Sequence, residues 1–177
     1  MARTSTCMKG LLALPGSALI GLVLATGADA ANPEPVTVGM DFVALITITE
    51  NGSLWFGLLD QALNTETIII APNSSVSGTG TGLILGGTQA AANLTVTASA
   101  SQSITILVDT IVSGAGYALG TFMCKYGTGT DTACDGSGYS ETSAASATLL
   151  IGATLTGDNT AVAGTADGSF NVTVAYQ

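Results

Sequence analysis

Histidine is missing from this chain, and charge is scarce, at 8% of its 177 residues. Without histidine there is no imidazole base for a triad and no imidazole ligand for zinc. Only three lysines and arginines are present, two of them in the first nine residues (Arg3, Lys9). Lys125 is then the one basic residue downstream, and a chain so poor in cations repels nucleic-acid phosphates and anionic lipid. Aromatic residues make up 5%, leaving few rings for stacking on a sugar. Past residue 30 no apolar run reaches the roughly 18 residues that suggest a membrane-spanning helix. No repeat of fixed period is visible, which argues against a solenoid or propeller.

The first 30 residues have the layout of a secretory signal peptide. Arg3 and Lys9 supply the positive start, Gly10 to Ala25 the apolar centre, and Ala28-Asp29-Ala30 a small-x-small site that places cleavage between Ala30 and Ala31. The apolar stretch is sixteen residues long and contains Pro15, short for a membrane anchor. The expected mature chain, residues 31–177, carries one base against eleven acids, a net charge of −10. Its length suits one domain. Residues 31–35 (ANPEP) form a proline-broken flexible leader, and residues 36–177 the domain.

Cys7 falls within the signal, leaving Cys124 and Cys134. Two cysteines in an exported chain suggest one disulfide, whereas a metal site would need further Cys or His ligands.

The most prominent pattern is the stretch from Val36 to Gly57. Even positions (Val36, Val38, Met40, Phe42, Ala44, Ile46, Ile48) are apolar or small, and odd positions are mixed. A period of two predicts one long strand over 36–48, and Asn51-Gly52 predicts a tight hairpin turn into a return strand at Leu54–Gly57. Further strands are expected at 65–71, 83–85, 93–99, 103–109, 117–126, 146–155 (Gly152 as a bulge) and 168–176. In the last of these Phe170, Val172, Val174 and Tyr176 share a face, with Asn171 and Thr173 opposite. About eight short strands with turn residues between them and no helical period predict an all-β fold, an antiparallel immunoglobulin-like Greek-key sandwich.

No catalytic constellation assembles. A Ser–Lys dyad would have to use Lys125, which adjoins the cysteine loop and is expected to be solvated. The acids (Glu50, Asp60, Asp109, Asp135, Asp158, Asp167) sit mostly at turns, where turn chemistry accounts for them. The run Asp131–Gly138 lacks the ligand spacing of a calcium loop, and GTGTG at 78–82 lacks the Lys-Ser/Thr of a phosphate loop. Four Asn-x-Ser/Thr triplets, at Asn51, Asn73, Asn93 and Asn171, carry no function in this reading. Trp55 has opposite parity to Leu54 and Phe56; it is either exposed or packed under a neighbouring loop, the second being preferred.

Ile46–Gly57 (ITITENGSLWFG) and Gly168–Tyr176 (GSFNVTVAY), with Phe122–Tyr126 and Cys134 between them, resemble the bacterial exported domain family of unknown function DUF4402. That resemblance implies a sandwich domain in a secreted or surface protein and no particular reaction. The chain also resembles, more loosely, chaperone–usher pilus subunits. Tyr176 is penultimate and Gly164 fourteenth from the end, as in their last strand, and Val36, Val38, Met40 and Phe42 match an N-terminal extension that fills a neighbour's missing strand. Its cysteines, however, lie late in the chain rather than between early strands.

The expected function is therefore an exported, pilin-like structural subunit, located in the periplasm, on the outer surface or in a surface appendage. It would polymerise by β-strand addition, with copies of itself or other surface subunits as partners. A monomeric binding module for carbohydrate or protein is the alternative. Neither reading calls for a cofactor, a catalytic residue, nucleic acid or membrane insertion after signal removal.

Overall fold

The computed structural model describes residues 37–164 and 167–177. The signal, its Ala30–Ala31 cleavage site, the leader and Val36 lie outside the described residues. Asp41–Gln177 forms one compact unit.

Twelve strands occur among the described residues: β1 (Thr47–Gly52), β2 (Leu58–Leu59), β3 (Thr67–Ile70), β4 (Val76–Ser77), β5 (Ile84–Gly86), β6 (Ala92–Thr97), β7 (Ser103–Val112), β8 (Tyr117–Tyr126), β9 (Thr132–Ala133), β10 (Tyr139–Thr142), β11 (Ser146–Gly157) and β12 (Ser169–Tyr176). Eight of them have four residues or more, and every pairing is antiparallel. The all-β sandwich that the alternation predicts is the fold observed.

The larger sheet is organised around β11. Along one edge Ser146–Ile151 pairs with β6, and then Ala153–Thr156 pairs with β3. Along the other edge β8 follows it from Leu149↔Tyr126 to Gly157↔Tyr117. Gly152 sits where β6 gives way to β3. A side-chain carbon there would run into the carbonyl of Ile70, so the close approach demands glycine. The pairing with β8 slips just beyond it, between Gly152 and Thr154, as expected of a bulge. β1 flanks β6, β4 flanks β3, and β9 flanks β8. The smaller sheet has the order β10-β7-β12, and β2 and β5 form a separate two-stranded ribbon.

Strands alternate their side chains, so each sheet turns one set inward. Val96, Ile104, Ile106, Val108, Phe122, Leu149 and Ile151 fill the interior at 0–1% exposure. The order β1-β6-β11-β8 follows the A-B-E-D sheet of an immunoglobulin constant-type sandwich, with β7 and β12 in the places of C and F. β10 is an added edge strand. Among the described residues nothing pairs with the outer edge of β12, where that architecture carries a G strand.

Two expectations are corrected. The long strand over 36–48 does not form among the described residues: β1 begins at Thr47, and residues 37–46 are not in a strand. Alternation supplies a face but no partner, and β6, the strand that pairs with β1, reaches only Thr47↔Thr97. The Asn51-Gly52 hairpin is also absent. Neither residue has the positive φ such a turn requires, and Asn51 Nδ2 donates to Thr95 Oγ1 at 2.9 Å. The chain passes on from β1 instead of returning beside it, and Trp55 pairs with Ala90 through N–H to carbonyl bonds of 2.8 and 2.9 Å.

Candidate functional site

One long side of the sandwich is open. It lies between β1 with the segment that follows it and β12. β12 sends Phe170, Val172, Val174 and Tyr176 toward the core, yet all four remain half-buried, and Asn171, Thr173 and Ala175 on the other face are exposed. Facing them, Ile46, Ile48, Leu54 and Phe56 are likewise only partly covered although they pack on the core. Between the two walls is a cleft of about 1290 Å³ whose floor includes the core residues Leu94, Leu119 and Leu155. That exceeds the roughly 300–1,000 Å³ of common small-molecule pockets. Its lining is mostly apolar, and its ionisable members are acids and a tyrosine: Glu50, Asp60, Asp167 and Tyr117. Such a lining favours neutral, apolar occupants over anions.

A separate, smaller hollow of about 450 Å³ is bounded by Val43–Ile46 and Val174–Tyr176. Tyr176 fixes its walls. Its hydroxyl accepts from the Ser99 N–H at 2.6 Å and donates to the Ala44 carbonyl at 2.9 Å. The Ala44 N–H donates to Ser99 Oγ at 2.6 Å, so the backbone at Ala44 is held from both sides. Gln177 is tied as well: its N–H donates to the Ser103 carbonyl at 3.0 Å, and Nε2 donates to Thr105 Oγ1 and Ser140 Oγ. In the larger cleft the Phe170 ring lies 4.9 Å from that of Phe122, tilted by 55°, the spacing of a favourable aromatic pair.

The sequence-derived residues divide between two places. Phe170, Val172, Val174 and Tyr176 form one wall of the cleft, and Gly164, with φ of 141°, lies on its rim. Val38, Met40 and Phe42 stand in solvent at 81%, 72% and 90% exposure. Cys124 and Cys134 are bonded to each other on another side of the sandwich, fully buried. Trp55 is 53% exposed on the cleft's lining, which corrects the preference for a packed indole. Sequence reasoning missed the other wall (Leu54, Phe56), the floor (Leu119, Leu155) and Ser99. Only tertiary pairing brings these to the site; Ser99 lies in a polar run with no marker of its own.

Among the described residues there is no group of three or more His, Cys, Asp or Glu side chains placed to hold a metal ion, and no helix long and apolar enough to cross a membrane.

The topology and open edge define the class: an antiparallel, immunoglobulin-like β-sandwich. Within it, the chain belongs to the family described as a domain of unknown function, DUF4402, which matches residues 46–176. No curated protein and no solved structure matches the chain.

Proposed function

We propose that the chain is an exported, pilin-like structural subunit of the cell surface that assembles by β-strand addition through residues 36–42. The observation that carries this is the exposure of Val38, Met40 and Phe42, 81%, 72% and 90%, in a segment with the period of a strand. Burying an apolar side chain of this size contributes about 1.5–3 kcal/mol. Three left in water at alternate positions are a reserve of binding energy that a partner can use. The backbone of such a segment is free to pair with a sheet edge while its alternate side chains fill pockets. The family match begins at Ile46, so the segment precedes the shared domain. Export follows from the signal-like residues 1–30. The partners are further copies of the chain or other surface subunits, and no reaction is assigned.

The test compares the size, by light scattering, of residues 31–177 with that of a chain beginning at Val43. Oligomers or filaments from the first, and a folded monomer from the second, support the proposal. Folded monomers from both would refute it.

In that case the second reading takes its place: a monomeric secreted or periplasmic binding module for carbohydrate or protein. The half-exposed Trp55 on the large cleft favours it, since an aromatic beside an apolar hollow is a common feature of ligand sites.

A further inference from the structure

The run from Trp55 to Asp60 forms part of the rim of the large cleft, and backbone bonds hold it in place. Trp55 pairs with Ala90, Leu58 with Gly86, and the Asp60 N–H donates to the Leu83 carbonyl at 2.8 Å. Gly57, with φ of 89°, lets the two stretches meet, since a side-chain carbon there would lie 2.8 Å from the Gly86 carbonyl oxygen. Trp55, Leu58 and Leu85 on these stretches, and Val162 from the connection between β11 and β12, all line the cleft, and each is more than half exposed. Large apolar side chains exposed together at the mouth of a cavity mark a ligand groove. The same lining carries three carboxylates, Glu50, Asp60 and Asp167, and no base; Lys125 is not part of it. Ser53 Oγ donates to Glu50 Oε1 at 2.7 Å and the Ala62 N–H to Asp60 Oδ1 at 2.9 Å, so each of these two groups is fixed through one oxygen.

We infer that the large cleft binds a single-chain amphiphile with a cationic head. The apolar chain lies along the apolar lining, and the ammonium group sits among the carboxylates and against the Trp55 indole. This goes beyond both readings above and depends on neither. Charge complementarity selects the head: low-dielectric walls focus the field of Glu50, Asp60 and Asp167 into the opening, which attracts a cation and turns away an anion. The indole adds to this, because tryptophan is the ring whose face attracts an ammonium group best. A neutral amphiphile gains from the chain alone, and a hydrophilic cation from the head alone.

Trp55 is the only tryptophan of the chain, so its fluorescence reports on the site directly. Dilute residues 31–177 are titrated with dodecyltrimethylammonium, octyltrimethylammonium, dodecyl maltoside and dodecyl sulfate. Each is kept below its micelle-forming concentration, and far-UV circular dichroism follows the fold. Dodecyltrimethylammonium should shift the Trp55 emission to the blue and bind roughly tenfold more tightly than the maltoside, with the sulfate weaker than either. The octyl chain should bind at least roughly tenfold more weakly than the dodecyl one, since each buried methylene is worth about fourfold in affinity. Glu50→Gln combined with Asp60→Asn keeps the acceptor oxygens and should abolish the preference for the cation. Asp131→Asn, at an exposed position off the cleft, should leave that preference unchanged. Leu58→Ser should weaken the cationic and neutral dodecyl ligands alike. Equal binding of the cation and the maltoside overturns the head, as does a preference that survives the double variant or falls as far with Asp131→Asn. No dependence on chain length, or an unchanged Trp55 emission, overturns the cleft as the site. Loss of the fold at the concentrations that shift Trp55 shows binding to the unfolded chain and overturns it as well.

Discussion

The sandwich has two unlike sides. On one, β7 and β8 are closed together by β9 and the loop that carries it. The Val108 N–H donates to the Cys134 carbonyl at 2.7 Å, the Cys134 N–H to the Phe122 carbonyl at 3.1 Å, and the Phe122 N–H to Asp135 Oδ2 at 3.1 Å. The Cys124–Cys134 bond crosses the same place, and Phe122 and both cysteines have no exposed surface. On the other side, β1 and β12 face each other across the cleft with every inward residue only half covered. Strands on both sides carry inward residues at alternate positions over much of their length. What differs is whether a further piece of backbone lies over the gap. Closure here is a property of the connections, not of the strands, and the side without a connection is where a second chain can add one.

The largest test of this contrast replaces one ring on each side. Phe122→Ala empties a fully buried site and should cost about 3–5 kcal/mol, read from the urea midpoint. Phe170→Ala, across the same ring contact but on the open wall, should cost about 1–2 kcal/mol, because its ring is half in water already. Equal losses would mean that the open side is covered in solution. If assembly covers it, the Phe170→Ala cost should grow with protein concentration and the Phe122→Ala cost should not.

Removing the covalent tie comes next. The pair Cys124→Ala and Cys134→Ala should cost about 2–4 kcal/mol, since a short loop loses its constraint on the unfolded chain and two buried side chains shrink. Assembly of the folded fraction should be unchanged, because the disulfide lies away from the cleft. A loss of assembly at full folding would break the separation between the two sides.

How much of this the sequence carries depends on the element. β8 was readable to its ends as 117–126 because Gly116 and Gly127 bound a stretch rich in aromatic and apolar residues, and β12 to within one residue because its polar and apolar positions alternate throughout. Gly152 was readable as an irregularity because a glycine inside a strand pattern marks a bulge or a close backbone approach. The segment 37–46 also carries apolar or small residues at every even position but is not a strand, since pairing needs a neighbour that sequence pattern does not name. Asn51-Gly52 has turn chemistry, yet β1 is drawn into the ladder with β6, and tertiary pairing overrides the local preference. One wall of the cleft was legible as the inward face of β12. The other wall, the floor and the Ser99 contact were not, because half-burial reports a missing neighbour and the alternation looks the same with or without one.

A smaller effect concerns the latch at the smaller hollow. Tyr176→Phe keeps the ring and removes the hydroxyl that joins the Ser99 N–H to the Ala44 carbonyl. A loss of about 1–2 kcal/mol is expected, with faster amide hydrogen exchange at Ser99 and Ala44 than elsewhere. If exchange rises evenly over the domain, the hydroxyl supports the fold at large and not the entry of the chain at Ala44.

The smallest effect sharpens the picture of the smaller sheet, where β10 flanks β7. The Tyr139 hydroxyl is buried with no hydrogen-bond partner among the described residues. Burial, then the nearby Glu141 and Tyr126, hold its proton on and push its pKa well above the ordinary tyrosine value. A tyrosine whose folded pKa is raised contributes stability below the unfolded value of about 10 and loses it as pH climbs further. Tyr139→Phe removes both the unsatisfied hydroxyl and that alkaline liability. It should be neutral, or stabilising by up to about 1 kcal/mol, at pH 7. The urea midpoint of the variant should fall less between pH 9 and pH 11 than that of the parent, while the remaining tyrosines act alike in both. A clear destabilisation at pH 7 would mean that the hydroxyl is satisfied in solution by a buried water, and the parent's alkaline loss would then shrink accordingly.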